Sequence, residues 1–86
     1  MLLKHGSDHH QLALGHMKPG DTVKLHALHR ASPLLRRRLR DLGVTEGSVL
    51  KVLRLGPFGG PLTFECVGQH IGIRRNEANR MEVAPL

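Results

Sequence analysis

Apolar positions between residues 19 and 84 come in short bursts, each closed by a glycine- or proline-marked break, with two different periods. Thr22–His29 alternates, with Val23, Leu25 and Ala27 on one side and Lys24 and His26 on the other. That is the period of two of a half-buried strand. Leu28 interrupts the alternation, so a bulge or a strand end is expected there. The period then changes. Leu35, Leu39 and Leu42 recur at four and three, the stripe of an amphipathic helix. Ser32-Pro33 supplies its start, serine as N-cap and proline at the first helical position, where a missing N–H costs nothing. Gly43 supplies its end as a left-handed C′ residue.

Strand-like bursts resume after Glu46-Gly47. Ser48–Leu55 carries Leu50 and Val52 on one face and Val49, Leu53 and Leu55 on the other. Such two-sided apolarity suits a strand with the core beneath and the helix above. Residues 56–61, five of six being Gly or Pro, form a loop. Leu62–Val67 alternates Leu62, Phe64 and Cys66 against Thr63 and Glu65. A hairpin at Gly68-Gln69 leads into His70–Arg74, with Ile71 and Ile73 inward. Asn76–Asn79 reads as a turn or single helical loop, and Met81–Ala84 closes the set. The prediction is mainly β: five short strands with one helix inserted between the first two. A sheet of that length avoids exposed edges by curling into a small SH3-like barrel. Gly20, Gly43, Gly47, Gly59, Gly60 and Gly68 mark its structural turns. Residues 1–13 show no usable apolar period and read as a flexible amino-terminal arm ahead of a domain over 14–86.

Eighty-six residues with 40% hydrophobic content make one domain with one modest core. Two aromatics, Phe58 and Phe64, leave most of the filling to Leu, Val and Ile. A single cysteine cannot form an internal disulfide, which points to a reducing compartment. No apolar run is long enough to cross a bilayer, and the opening residues lack a secretory apolar region. The expected location is therefore cytoplasmic. A net charge of +6 favours anionic partners: nucleic acid, acidic lipid or an acidic protein face.

Read in order, Met17-Lys18-Pro19-Gly20-Asp21, Arg38-Leu39-Arg40-Asp41-Leu42-Gly43-Val44, Gly47, Gly59-Gly60-Pro61, Val67-Gly68, and Ile71-Gly72-Ile73-Arg74 through Ala78 to Met81-Glu82-Val83 form a set. That set resembles the ferrous iron transport protein A (FeoA) family over about residues 14–83. Glu46 departs from it, standing where the family more often has proline. The resemblance implies an SH3-like barrel with an inserted helix and no catalytic activity. It implies a regulatory role in bacterial ferrous iron uptake, through the cytosolic GTP-binding part of the membrane iron transporter. The same barrel resembles the carboxy-terminal domain of metal-dependent transcriptional repressors, whose helix-turn-helix this chain has no room for.

Two features carry candidate chemistry. Arg36, Arg37, Arg38 and Arg40 crowd one helix, and guanidinium groups grip carboxylates bidentately, so the cluster is a candidate partner-binding surface. Asp41 neutralises part of it. Phe58 sits at the tip of the Gly/Pro loop. It can fold back onto the barrel, the simpler outcome, or stand out as an aromatic anchor for a partner.

Seven histidines invite a metal reading: His5, His9, His10, His16, His26, His29 and His70. Imidazole suits zinc and ferrous iron, and His5, His9 and His10 are the nearest approach to a cluster. Without paired Cys/His spacing, no cofactor is required, and any zinc or Fe(II) would be adventitious or regulatory. An iron-sensing or metal-binding module is the alternative function, and a nucleic-acid-binding barrel a third. The third lacks stacking platforms, for there is no Trp or Tyr. Scattered single acids and the absence of a phosphate-cradling motif argue against an enzyme.

Overall fold

The computed structural model describes residues 12–86. Six strands form one antiparallel sheet: β1 (Leu12–Ala13), β2 (Thr22–Ala27), β3 (Val49–Leu55), β4 (Leu62–Cys66), β5 (Gln69–Ile73) and β6 (Glu82–Pro85). Their spatial order is β1-β6-β2-β3-β4-β5. Helix α1 (Pro33–Asp41) lies between β2 and β3 in sequence, and the short α2 (Arg75–Ala78) between β5 and β6. Two 3₁₀ turns, Leu14–His16 and Pro57–Gly59, complete the set.

The alternation places one buried row on each strand. Val23 pairs with Leu50, Val52 with Phe64, Phe64 with Ile71 and Leu25 with Val83. All of these side chains are buried in a single cluster. Breaks in register between Leu25 and Ala27 and between Val52 and Arg54 bend the sheet around it. An extra residue on one strand increases local twist, which lets a short sheet wrap its own core. The bulge expected near Leu28 thus falls slightly earlier in β2.

Five strands were expected and six are present. The additional one is β1, whose Leu12 and Ala13 pair with Val83 and Glu82. The amino-terminal arm expected over 1–13 therefore gives up its last two residues to the sheet, and its remainder lies outside the described residues. Immediately after β1, Gly15 meets α2 so closely that a Cβ there would collide with the Asn79 side chain and lie 3.0 Å from its backbone nitrogen.

The helix also sits elsewhere than expected. Leu35 and Leu39 enter the same core as Leu50 and Val52, and Leu42 packs at its margin. The outer face of β3 is left uncovered at Val49, which is 50% exposed. Helix α1 lies instead beside β5, a strand that pairs only with β4. The hairpin after β4 turns on Val67-Gly68, one residue before the expected Gly68-Gln69, and both residues have positive φ. Of the six expected turn glycines, Gly20, Gly43, Gly47, Gly59 and Gly68 have positive φ. Gly60 does not; its Cβ-free face lies against the Pro57 carbonyl instead.

Candidate docking site

Helix α1 is held rigidly against the barrel at both ends. At its start, the Ser32 hydroxyl accepts from the Leu35 amide at 3.2 Å and donates to Glu77 Oε2 at 2.8 Å. The N-cap is thereby tied to α2. At its end, Gln69 Nε2 donates to the Leu42 carbonyl at 2.7 Å, which satisfies a carbonyl left without a partner in the helix and ties it to β5. Gly43 follows with φ +86, the left-handed C′ position the sequence called for.

At about 100° per residue, the arginine cluster cannot occupy one face. With Leu35 and Leu39 directed into the core, Leu34, Arg37, Arg38 and Asp41 fall on the flank facing β5, and Arg36 and Arg40 on the opposite flank. Arg36 is committed to the fold: its Nη1 donates to the carbonyls of His29 and Ala31, both at 3.2 Å. It braces the loop that enters the helix. Arg40 is exposed. The four arginines expected to act together therefore divide, and Arg37 and Arg38 alone reach a concave surface.

That surface is a groove of about 440 Å³ between α1 and β5, lined by Leu34, Arg37, Arg38, Asp41, Leu42, Gln69, His70 and Ile71. A second hollow of about 290 Å³ shares Leu34 and Arg38 and extends past Ser32 and Ile73 to Arg74 and Glu77. The floor is apolar, and the rim carries three arginines against Asp41 and a Glu77 already engaged by Ser32. Leu34 stands over both hollows at 79% exposure. Exposing a leucine on a helix whose other leucines are buried leaves apolar area available to a partner. Sequence reasoning missed Leu34, Gln69, His70 and Ile71 as site residues. The one available signal was that Leu34 lies off the Leu35–Leu39–Leu42 stripe.

Phe58 is not folded back. Its φ is +55 and its side chain is fully exposed at the tip of the β3–β4 connection, away from the groove lining. The histidines are dispersed. His16, His26 and His29 are exposed, and His29 Nε2 lies 3.6 Å from Glu82 Oε2. His70 borders the groove. His5, His9 and His10 lie outside the described residues. Among the described residues, no three His, Cys, Asp or Glu side chains are grouped to hold a metal. Cys66 is buried, and burial pushes its thiol up despite an opposing hydrogen bond with Ser48. A thiol so held is a core side chain and a poor nucleophile. The groove sets the apolar side chains of Leu34, Leu42 and Ile71 beside the guanidinium groups of Arg37 and Arg38, which suit carboxylates.

The FeoA domain family model matches residues 12–85. A solution structure of a FeoA protein from Chlorobium tepidum is 41% identical, with a TM-score of 0.81 over 87% of this chain and 70% of that one. The crystal structure of an iron uptake regulatory protein (FeoA) is 27% identical, with a TM-score of 0.73 over 90% of this chain and 99% of the other. A manganese-dependent transcriptional repressor, 23% identical, shares the fold with a TM-score of 0.77 over 87% of this chain and 41% of its own. No curated protein matches the sequence. Among the described residues, no helix is long and apolar enough to cross a membrane.

Proposed function

The chain belongs to the FeoA domain family, whose role is that of an accessory to ferrous iron uptake, and from that premise we propose that it regulates the membrane iron transporter by docking on its cytosolic GTP-binding part. The observation that carries this reading is Leu34, exposed between Arg37 and Arg38 at the mouth of the α1–β5 groove. An apolar anchor flanked by guanidinium groups suits an acidic protein surface with an apolar centre. The charges steer and orient the encounter, while the anchor slows release. The protein acts without catalysis, by preferring one state of its partner. Binding moves a transporter equilibrium only by the difference in affinity for its two states.

Titration of the transporter's cytosolic GTP-binding domain with the full chain, with and without nucleotide, tests the reading. Arg37→Glu with Arg38→Glu is expected to weaken association by about tenfold or more at low salt, chiefly through slower association, and to flatten its salt dependence. Arg40→Glu, on the far flank, is expected to change it far less. Equal effects at the two flanks would remove the groove from the interface.

A further inference from the structure

The tip of the β3–β4 connection is unlike the rest of the surface. Phe58 is one of two non-glycine residues with positive φ among those described, the other being Val67. Such a backbone costs an ordinary L-residue free energy, and where a fold retains it the outlier points to a use. Here the conformation holds an aromatic ring wholly in solvent. The loop beneath it is built rather than slack. The Gly56 amide donates to the Pro61 carbonyl at 2.7 Å and the Gly60 amide to the Pro57 carbonyl at 2.9 Å. A Cβ on Gly56 or Gly60 would press on that frame, at 3.0 Å from Pro61 Cδ and 2.9 Å from the Pro57 carbonyl oxygen.

Charge at this end has one sign. Arg54, next to last in β3 and close to the loop, is exposed. Arg74 and Arg75 share a hollow with Gly59, Gly60 and Pro61. No acidic residue occurs in 54–62 or 74–76, and neighbouring Glu77 is held by Ser32. The result is a convex tip: one apolar ring, a frame whose Gly56 and Gly60 amides already have partners, and a collar of guanidinium groups.

We infer that this tip docks on an anionic phospholipid surface, with Phe58 entering the headgroup boundary and Arg54, Arg74 and Arg75 pairing with lipid phosphates. A protein partner for a protruding ring must supply a matching pocket, whereas a bilayer receives one without complementary shape. Weak apolar insertion and basic charge together give reversible membrane attachment where either alone is marginal. The Gly56 and Gly60 amides, bonded within the loop, approach the boundary without losing hydrogen bonds. This attachment uses none of the side chains that line the α1–β5 groove, although Arg74 also borders the adjoining hollow, and it leaves Leu34, Arg37 and Arg38 free for protein.

Co-sedimentation of the full chain with vesicles of phosphatidylcholine alone, or of phosphatidylcholine mixed with phosphatidylglycerol, tests the inference. Binding is expected only with phosphatidylglycerol, lost at high salt. It should fall about tenfold in Phe58→Ala, as expected for losing one buried aromatic, and by a similar factor in Arg54→Glu. Phe58→Trp supplies a second readout, because the chain has no other tryptophan or tyrosine. Its emission is expected to shift to the blue on phosphatidylglycerol vesicles and stay unshifted on phosphatidylcholine. Phe58 is fully exposed, so circular dichroism should show both variants folded. Wild-type protein left in the supernatant, undiminished vesicle binding by Phe58→Ala, or an unshifted tryptophan would each overturn the inference. So would a Phe58→Ala variant that loses the transporter domain while keeping the vesicles, since the tip would then be a protein contact.

Discussion

The groove beside α1 and the tip of the β3–β4 connection each set an exposed apolar side chain among arginines, yet they are held in opposite ways. Leu34 rides on a helix pinned to α2 through Ser32 and Glu77 and to β5 through Gln69, with Leu35 and Leu39 of the same helix in the core. The groove is therefore a by-product of packing, and whatever loosens the core reshapes it. Phe58 shares no side-chain burial with the core and stands on a backbone conformation that opposes folding slightly. The difference is one of coupling: recognition at the groove is tied to global stability, and recognition at the tip is not.

The sharpest break between the regions should come from Leu39→Ala. Leu39 is fully buried, and truncating such a leucine typically costs about 2–5 kcal/mol, partly through the cavity left behind. A loss of about 3 kcal/mol is expected in chemical denaturation at unchanged m, a large share of the stability of a domain this small. Groove binding should suffer even where the chain remains folded. A loss below about 1 kcal/mol would mean that α1 lies loosely on the barrel, and the two regions would then differ little.

Ser32→Ala should come next, at about 1–2 kcal/mol, because one hydroxyl both caps α1 and bonds Glu77. It is expected to weaken transporter-domain binding strongly and vesicle binding only slightly, the latter because the released Glu77 lies close to Arg74 and Arg75. Parallel losses in both assays would show that the tip, too, depends on how α1 is seated.

How far each region could be read from sequence follows the same division. The bounds of α1 were legible because Ser32, Pro33 and Gly43 act on their own backbones, and the buried rows of β2, β4 and β5 because alternation is local. Strand β1 was not legible. Two residues carry no period, and Leu12–Ala13 becomes a strand only by meeting Val83 and Glu82 some 70 residues away. The position of α1 was misread from the apolar outer face of β3, since a pattern states that a residue is apolar and not which neighbour covers it. Arg36 illustrates the limit for charge: its partners are backbone carbonyls of His29 and Ala31, invisible to any charge pattern. Phe58 illustrates the limit for loops, because glycines and prolines announce a turn without giving the sign of φ at the residue between them.

Phe58→Asn probes that sign directly. Asparagine tolerates the left-handed region far better than phenylalanine, and the ring it replaces has no contact to lose. Stability is expected to rise by about 0.5–1 kcal/mol in the denaturation midpoint, while vesicle binding falls. A gain of stability with a loss of binding is the mark of a residue kept for what it touches outside the molecule. Destabilisation instead would place the ring against the barrel in solution and dissolve the distinction between tip and groove.

Leu34→Ala carries the smallest expected change in stability and decides most about the groove. The side chain is largely exposed, and alanine favours the helix slightly more than leucine, so the midpoint should move by less than about 0.5 kcal/mol either way. Coupling between groove and core runs through Leu35, Leu39, Ser32 and Gln69, and Leu34 stands outside it although it shares a helix with Leu35 and Leu39. If the groove recognises a partner through this leucine, Leu34→Ala should raise the dissociation rate of the transporter domain by about tenfold with association little changed, the reverse of the expectation for Arg37 and Arg38. An unchanged dissociation rate would leave the arginines as the whole of the interface, and the apolar floor between α1 and β5 would then be the margin of the core surfacing between two elements.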